Sequence, residues 1–115
     1  MTKQQTYAFA VRALKRLRTK ELIYGRRFGN AEGRTHNPKT LTHCCATGAM
    51  YAAFDSRKAM ANFNHYPLPF GTDFDPSAWG AILDANDSYL PANNKASARR
   101  LRYKYVLALC EARAK

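Results

Sequence analysis

The sequence has no apolar run approaching the roughly 20 residues that a membrane-spanning helix needs. No apolar signal-peptide segment follows Met1, so the reading expects a cytoplasmic protein with no membrane partner. There are only 3 cysteines and no CxxC pair. That odd, small number excludes a disulfide framework and fits a reducing cytosol. No stretch alternates convincingly at period two, which argues against a sheet protein. No internal repeat and no low-complexity tract occurs, so solenoids and fibrous chains are excluded. Acidic residues are scarce as well. The chain carries 8 Asp and Glu against 19 Lys and Arg, a net charge of +11 on 115 residues. Hydrophobic residues make up 46% of it, far too many for a disordered basic tail. A chain of this length makes one domain, 1–115, with a single core.

The charge is uneven. Residues 1–40 sum to +8, residues 41–91 to −3 and residues 92–115 to +6. If the two ends pack together, one face becomes strongly positive and suits an anionic partner. The competing reading is that the ends keep the protein soluble while the middle supplies the core.

The pattern predicts a compact all-α domain of four to five helices. From Thr6 to about Lys20, Tyr7, Ala10, Val11, Leu14 and Leu17 fall on one arc of a helix, with Arg12, Lys15 and Arg16 opposite. Phe9 on the basic side and Arg18 in the apolar arc are misfits. Arg16, Arg18 and Lys20 near the end of this helix are explained by its dipole, which favours cations there. Residues 24–40 contain three glycines and a proline and read as a long loop, with a short hairpin around Asn30–Gly33. Thr40 or Thr42 is placed to cap a central helix at Leu41–Phe54, apolar nearly all round. In it Cys45, Gly48, Ala49 and Ala52 form a stripe of small side chains that admits a close backbone. A further helical stretch is expected from Ser56 to Asn62, and an irregular one from 64 to 75. Asp75 followed by Pro76 starts another helix, with Trp79, Ile82 and Leu83 on its apolar side, ending near Asn86. The last helix is expected to start at Asn93 or Asn94 and to run to about Ala112. It would project its first half to solvent and bury the second.

That first half holds Arg99, Arg100, Arg102 and Lys104 with Tyr103. Cations near a helix N-terminus oppose the dipole, at about 0.3–1 kcal/mol each. An anionic partner explains them, and so does an internal one such as Asp84 or Asp87. Those two carboxylates, at the unfavourable end of their own helix, are read as ion-pair partners of Arg18 or Arg102. Arg26 and Arg27 lie in the Gly-rich loop beside Tyr24 and Phe28, a mixture that suits phosphate contact with base stacking. The alternative is a loop pinned by its aromatics. No RGG run or named nucleic-acid motif is present.

His43, Cys44 and Cys45 invite a metal or thiol reading. Adjacent cysteines cannot easily serve one zinc ion, and His36 and His65 lie in loops. Both cysteines read better as small core residues, and no metal or other cofactor is expected.

The string CCATGAMYAA, Cys44–Ala53, is followed some thirty residues later by WGAILDAND, Trp79–Asp87, and then a terminal helix. Over roughly residues 10–112 this resembles a small uncharacterised helical family, a domain of unknown function, of actinobacteria and their phages. Cys45, Ala46, Gly48 and Ala49 match the first part of its pattern, and Ile82, Asn86 and Asp87 the second. The chain departs from the family in being far more basic at both ends. The resemblance implies a helical fold and suits a phage accessory protein, but it transfers no catalytic residue.

The functional expectation is a non-enzymatic binding protein that contacts the phosphates of DNA or RNA through a basic face. Arg26, Arg27, Arg99, Arg100, Arg102 and Lys104 are the candidate contacts, and Tyr103 and Phe9 the candidate stackers. The alternative is a module that binds an acidic surface on a host protein. A thiol enzyme using Cys44 or Cys45 with a histidine is a third reading.

Overall fold

Residues 3–15 open the chain as helix α1 (Lys3–Lys15) because Thr2 and Gln5 form a reciprocal capping box. The Thr2 Oγ1 accepts from the Gln5 N–H, and the Gln5 side chain accepts from the Thr2 N–H. The computed structural model describes residues 1–25, 27–33, 41–55, 73–88 and 91–115. The other elements are strand β1 (Phe28–Gly29), strand β2 (His43–Cys44), and helices α2 (Ala46–Phe54), α3 (Pro76–Asp87) and α4 (Ala96–Arg113).

The architecture is mostly helical, with a small antiparallel sheet that departs from the all-α expectation. Phe28 pairs with Cys44 and Gly29 with His43. Two residues per strand are too few to show an alternating pattern, so the sheet has no sequence signature. It also moves the start of α2. Thr42 donates its N–H to the Gly29 carbonyl and Cys45 donates to that of Arg27, which keeps the chain extended through position 45. The helix therefore begins at Ala46 rather than Leu41, and its cap is Cys45 rather than Thr42. The Cys45 Sγ accepts from the Gly48 N–H and shares a hydrogen bond with Thr47. Thr40 and the helix expected over 56–62 lie outside the described residues.

Two helix starts illustrate how local chemistry competes. At α3 the Asp75 carboxylate accepts from the Ala78 N–H, with Pro76 at the first helical position, as the sequence predicts. At α4 the cap position falls to Lys95, which offers no side-chain acceptor. Asn93 and Asn94 are both diverted. The Asn93 amide oxygen accepts from Lys95 N–H, and the Asn94 side chain brackets Tyr24, accepting from its N–H and donating to its carbonyl.

One core joins the four described helices. Helix α1 contributes Tyr7, Ala10 and Leu14, α2 contributes Met50 and Tyr51, α3 contributes Trp79 and Ile82, and α4 contributes Tyr103, Val106 and Cys110. Helices α1 and α4 run antiparallel: Tyr103 donates its hydroxyl to the Leu14 carbonyl at one end, and Arg113 donates to the Tyr7 hydroxyl at the other. The buried stripe of α4 runs along the whole helix, through Ala98, Arg102, Tyr103, Val106 and Cys110. The expected split into a solvent-facing half and a buried half is therefore wrong. Asn86, wholly buried at the end of α3, accepts from the Ala46 N–H and donates to the Ile23 carbonyl, tying three segments together.

The stripe of small residues on α2 does admit a close backbone. A Cβ at Gly48 would meet the Arg27 carbonyl oxygen at 2.2 Å. Gly48→Ala should therefore destabilise the fold by about 2 kcal/mol despite the better helix propensity of alanine. Urea unfolding of the two proteins, compared at equal m-value, checks this.

Candidate functional site

The eight residues singled out in the sequence do not form one surface. Arg26 lies outside the described residues. Arg102 is fully buried. Its guanidinium donates to the main-chain carbonyls of Leu22 at 2.6 Å, Pro91 at 3.1 Å and Asn93 at 2.8 Å. Burial draws its pKa below the usual arginine value, and the charge of Asp87 works in the other direction. Arg102 is thus an internal tie rather than a phosphate contact. Its partners are carbonyl dipoles, not the carboxylate of Asp84 or Asp87 that the sequence suggested. Asp87 instead accepts from the Asn86 amide, and Asp84 is exposed.

Tyr103 is buried too, with its hydroxyl on Leu14 and the Lys20 ammonium 5.9 Å above its ring. It cannot stack on a base. Phe9 packs edge-on against Phe54 and Phe74, with ring centroids at 6.3 and 5.2 Å. Arg27 is buried, its guanidinium 5.5 Å from the Tyr51 ring centre. These four residues are committed to the fold.

Arg99 is committed as well, to a carboxylate that the sequence reading passed over. Its Nε donates to Glu21 Oε1 at 2.6 Å, and its terminal nitrogen donates to the carbonyls of Ala31 and Asn94. The same Glu21 oxygen lies 3.1 Å from His43 Nε2, and His43 Nδ1 lies 2.9 Å from Thr42 Oγ1. Burial pushes the Glu21 carboxyl up, but the hydrogen bonds and charges of Arg99 and His43 together hold it below its usual value. This hydroxyl–imidazole–carboxylate–guanidinium chain fastens β2 and the 21–24 segment to the first turn of α4. It also removes the dipole puzzle: Arg99 and Arg102 sit near a helix N-terminus because Glu21 and five different carbonyls meet them there.

Of those among the eight that the structure describes, Arg100 and Lys104 are the exposed cations. They stand one turn apart on α4, where like charges repel by a few tenths of a kcal/mol. The structure supplies them with neighbours that the sequence reading set aside. Helix α1 stops at Lys15, so the dipole does not account for Arg18 and Lys20, which lie on the connector beyond it. That connector runs beside α4, with the Leu22 N–H donating to the Arg99 carbonyl. Lys20 has a left-handed backbone, φ +52°, which strains any side chain other than glycine's. Its ammonium donates to the Lys15 carbonyl and covers Tyr103. Arg16, Arg18, Lys20, Arg100 and Lys104 are all exposed, and among the described residues none of them forms an ion pair. The nearby Lys15 does, weakly, with Glu111 at 3.9 Å. A run of alternating cations just past a helix end is the signal that would have found this patch.

The thiols are poorly placed for chemistry. Burial raises the pKa of Cys44, with the neighbouring Cys45 adding to the effect, and burial raises that of Cys45 despite its hydrogen bonds with Thr47 and Gly48. Cys110 is pushed up to about 12, again by burial first. Among the described residues no group of three His, Cys, Asp or Glu side chains could hold a metal ion, and no helix is long and apolar enough to cross a membrane.

Two outcomes follow from these environments. Arg102→Ala should destabilise the fold by about 3 kcal/mol or more, because three carbonyls lose their donors inside the protein. Arg100→Ala should leave the urea midpoint almost unchanged. For Glu21 the folded pKa lies below the unfolded one, so its contribution is complete above about pH 4.5 and is lost as pH falls through the folded value. Glu21→Gln should be less stable at neutral pH and should lose stability less steeply on acidification, measured by urea unfolding at a series of pH values.

Compared with protein-family models, with curated proteins and with solved structures, the chain matches none.

Proposed function

We propose that this is a small binding protein that contacts nucleic-acid phosphates through the basic face made by Arg16, Arg18, Lys20, Arg100 and Lys104. One observation carries the reading. Five exposed cations come from two segments that run beside each other, the end of α1 with its connector and the first half of α4, while the arginines needed for folding are turned inward onto Glu21 and main-chain carbonyls. Concentrating like charge at the surface costs stability in the free protein. A polyanion repays that cost by releasing its condensed counterions.

Lys20 supports the same reading. A glycine would relieve the left-handed backbone at this position, yet the residue present is a cation that reaches back over the end of α1. Strained conformations concentrate where a side chain has work beyond folding.

A second reading is an acidic surface on a partner protein. The exposed Leu101 and Tyr105 on α4 favour it, because protein interfaces use apolar contacts alongside charge.

The salt dependence of binding separates the two. If the five cations each neutralise one phosphate, log K should fall against log salt with a slope of about −4.5 for a duplex. Arg100→Glu together with Lys104→Glu should reduce that slope by about 2 while leaving the unfolding midpoint within its usual surface range. A flat salt response, or no binding to DNA or RNA at low salt, removes the nucleic-acid reading. A stoichiometric protein retained from nuclease-treated host lysate, and lost in the double Glu variant, would favour the second.

A further inference from the structure

We infer that the groove between α3 and α4 takes one base of a nucleic-acid strand, with Tyr105 as the ring it stacks on and Asp84 as the acceptor of its N–H donors, and that guanine fits best. The inference rests on the nucleic-acid reading above and adds a base-binding site to it. The groove holds about 590 Å³ between one flank of α3 and one of α4. That volume lies within the range of about 300–1,000 Å³ usual for small-ligand sites. Residues three or four positions apart build both walls. Ala81, Ala85 and Leu109 make the apolar part, while Asp84, Tyr105 and Arg113 carry the chemistry.

Asp84 carries the inference. It is exposed in the last turn of α3, where no basic residue stands and the helix dipole disfavours a carboxylate. Among the described residues its side chain has no ion-pair partner. Arg113 lines the same groove and does not pair with it. That guanidinium donates instead to the Tyr7 hydroxyl at 3.0 Å, which leaves further N–H groups for a ligand. An acceptor set in a largely apolar groove without a donor suits a ligand that brings N–H groups of its own. A phosphate is repelled from it. The strand's phosphates fall instead to Lys104, next to Tyr105 in sequence, and to Arg113, about 12 Å beyond Tyr105 along α4.

Tyr105 supplies the stacking surface. Its ring is 41% exposed and forms part of the α4 wall, with the Asp84 carboxylate on the opposite wall. Proteins that hold unpaired strands set a base on an aromatic ring beside cations and hydrogen-bond its Watson–Crick edge. A carboxylate has two acceptor oxygens and is best matched by two parallel donors. Guanine presents such a pair, its ring N1–H beside an exocyclic N2–H. Cytosine and adenine present an amino group next to a ring acceptor, and thymine or uracil a single N–H between two carbonyl oxygens. Each of these three sets an acceptor against the carboxylate. A duplex turns this edge inward to pair, so the groove draws its base from a single strand or a loop.

The test is fluorescence anisotropy of the full chain with a labelled 12-base oligothymidine, with the same strand carrying one central guanine, and with a 20-base-pair duplex. The guanine strand should bind about tenfold tighter than oligothymidine. Asp84→Ala removes a negative charge, so it should strengthen oligothymidine slightly while bringing the two strands to equal affinity. An Asp84 that acted only through its charge would shift both strands alike and preserve their ratio. Tyr105→Ala should weaken the guanine strand about tenfold, and Tyr105→Phe should retain it. Both positions are exposed, so the unfolding midpoint should stay within its usual surface range. Equal binding of the two strands by the unaltered protein, a ratio that survives Asp84→Ala, or a Tyr105→Ala protein that binds the guanine strand undiminished overturns the inference, while binding of either strand or of the duplex keeps the nucleic-acid reading. Failure of both strands and the duplex to bind overturns that reading and the inference with it.

Discussion

Arg102 brings a full positive charge into the protein interior, and the carbonyls of Leu22, Pro91 and Asn93 receive it. Taking such a charge out of water costs several kcal/mol, so the arrangement survives only because its acceptors are fixed by the rest of the chain. The dependence runs in both directions. The 91–95 connector holds few apolar side chains and the 20–24 segment is not helical, and both are positioned by donors that α4 provides. Arg99 repeats the device one turn earlier, with Glu21 as its anion. Together the two arginines fix where the chain leaves α1, where it meets β2 and where α4 begins. The connector that carries Arg18 and Lys20 is held against α4 by those two inward-turned arginines.

Much of the helical framework was legible because it follows from periodicity and local chemistry. The Asp75–Pro76 start of α3, the apolar arc of α1 and the small-residue stripe on α2 each reflect a short-range rule that one sequence displays in full. The β1–β2 pair was not legible, since two residues per strand leave no periodic trace and their pairing joins segments about fifteen residues apart. The start of α2 was misplaced for the same reason: a hydrogen bond from Cys45 to Arg27 overrode the helix propensity of the residues around Leu41.

The candidate site was half legible, and the division has a physical cause. Composition shows that an arginine is present but not whether its guanidinium faces water or a carbonyl. In α4 the positions alternate between these fates: Arg99 and Arg102 turn inward, Arg100 and Lys104 outward, as the helical repeat dictates once the buried stripe is known. That stripe includes Arg102, a residue that no hydrophobicity pattern would assign to a core. In the same way, charge at the end of α1 had a sufficient local explanation until the helix proved to stop at Lys15. Positive charge in this protein thus divides between an inward-turned set that shapes the chain and an exposed set that does not.

The three thiols give this arrangement a further property. All are buried and uncrosslinked, and burial keeps them protonated. Since the thiolate is the reactive form, modification must wait for the surrounding structure to open. Cys45 sits at the cap of α2 beside the small sheet, and Cys110 near the end of α4 against α1. Their separate rates of alkylation would therefore act as two clocks within one chain, one timing the release of the sheet from α2 and the other the parting of the terminal helices.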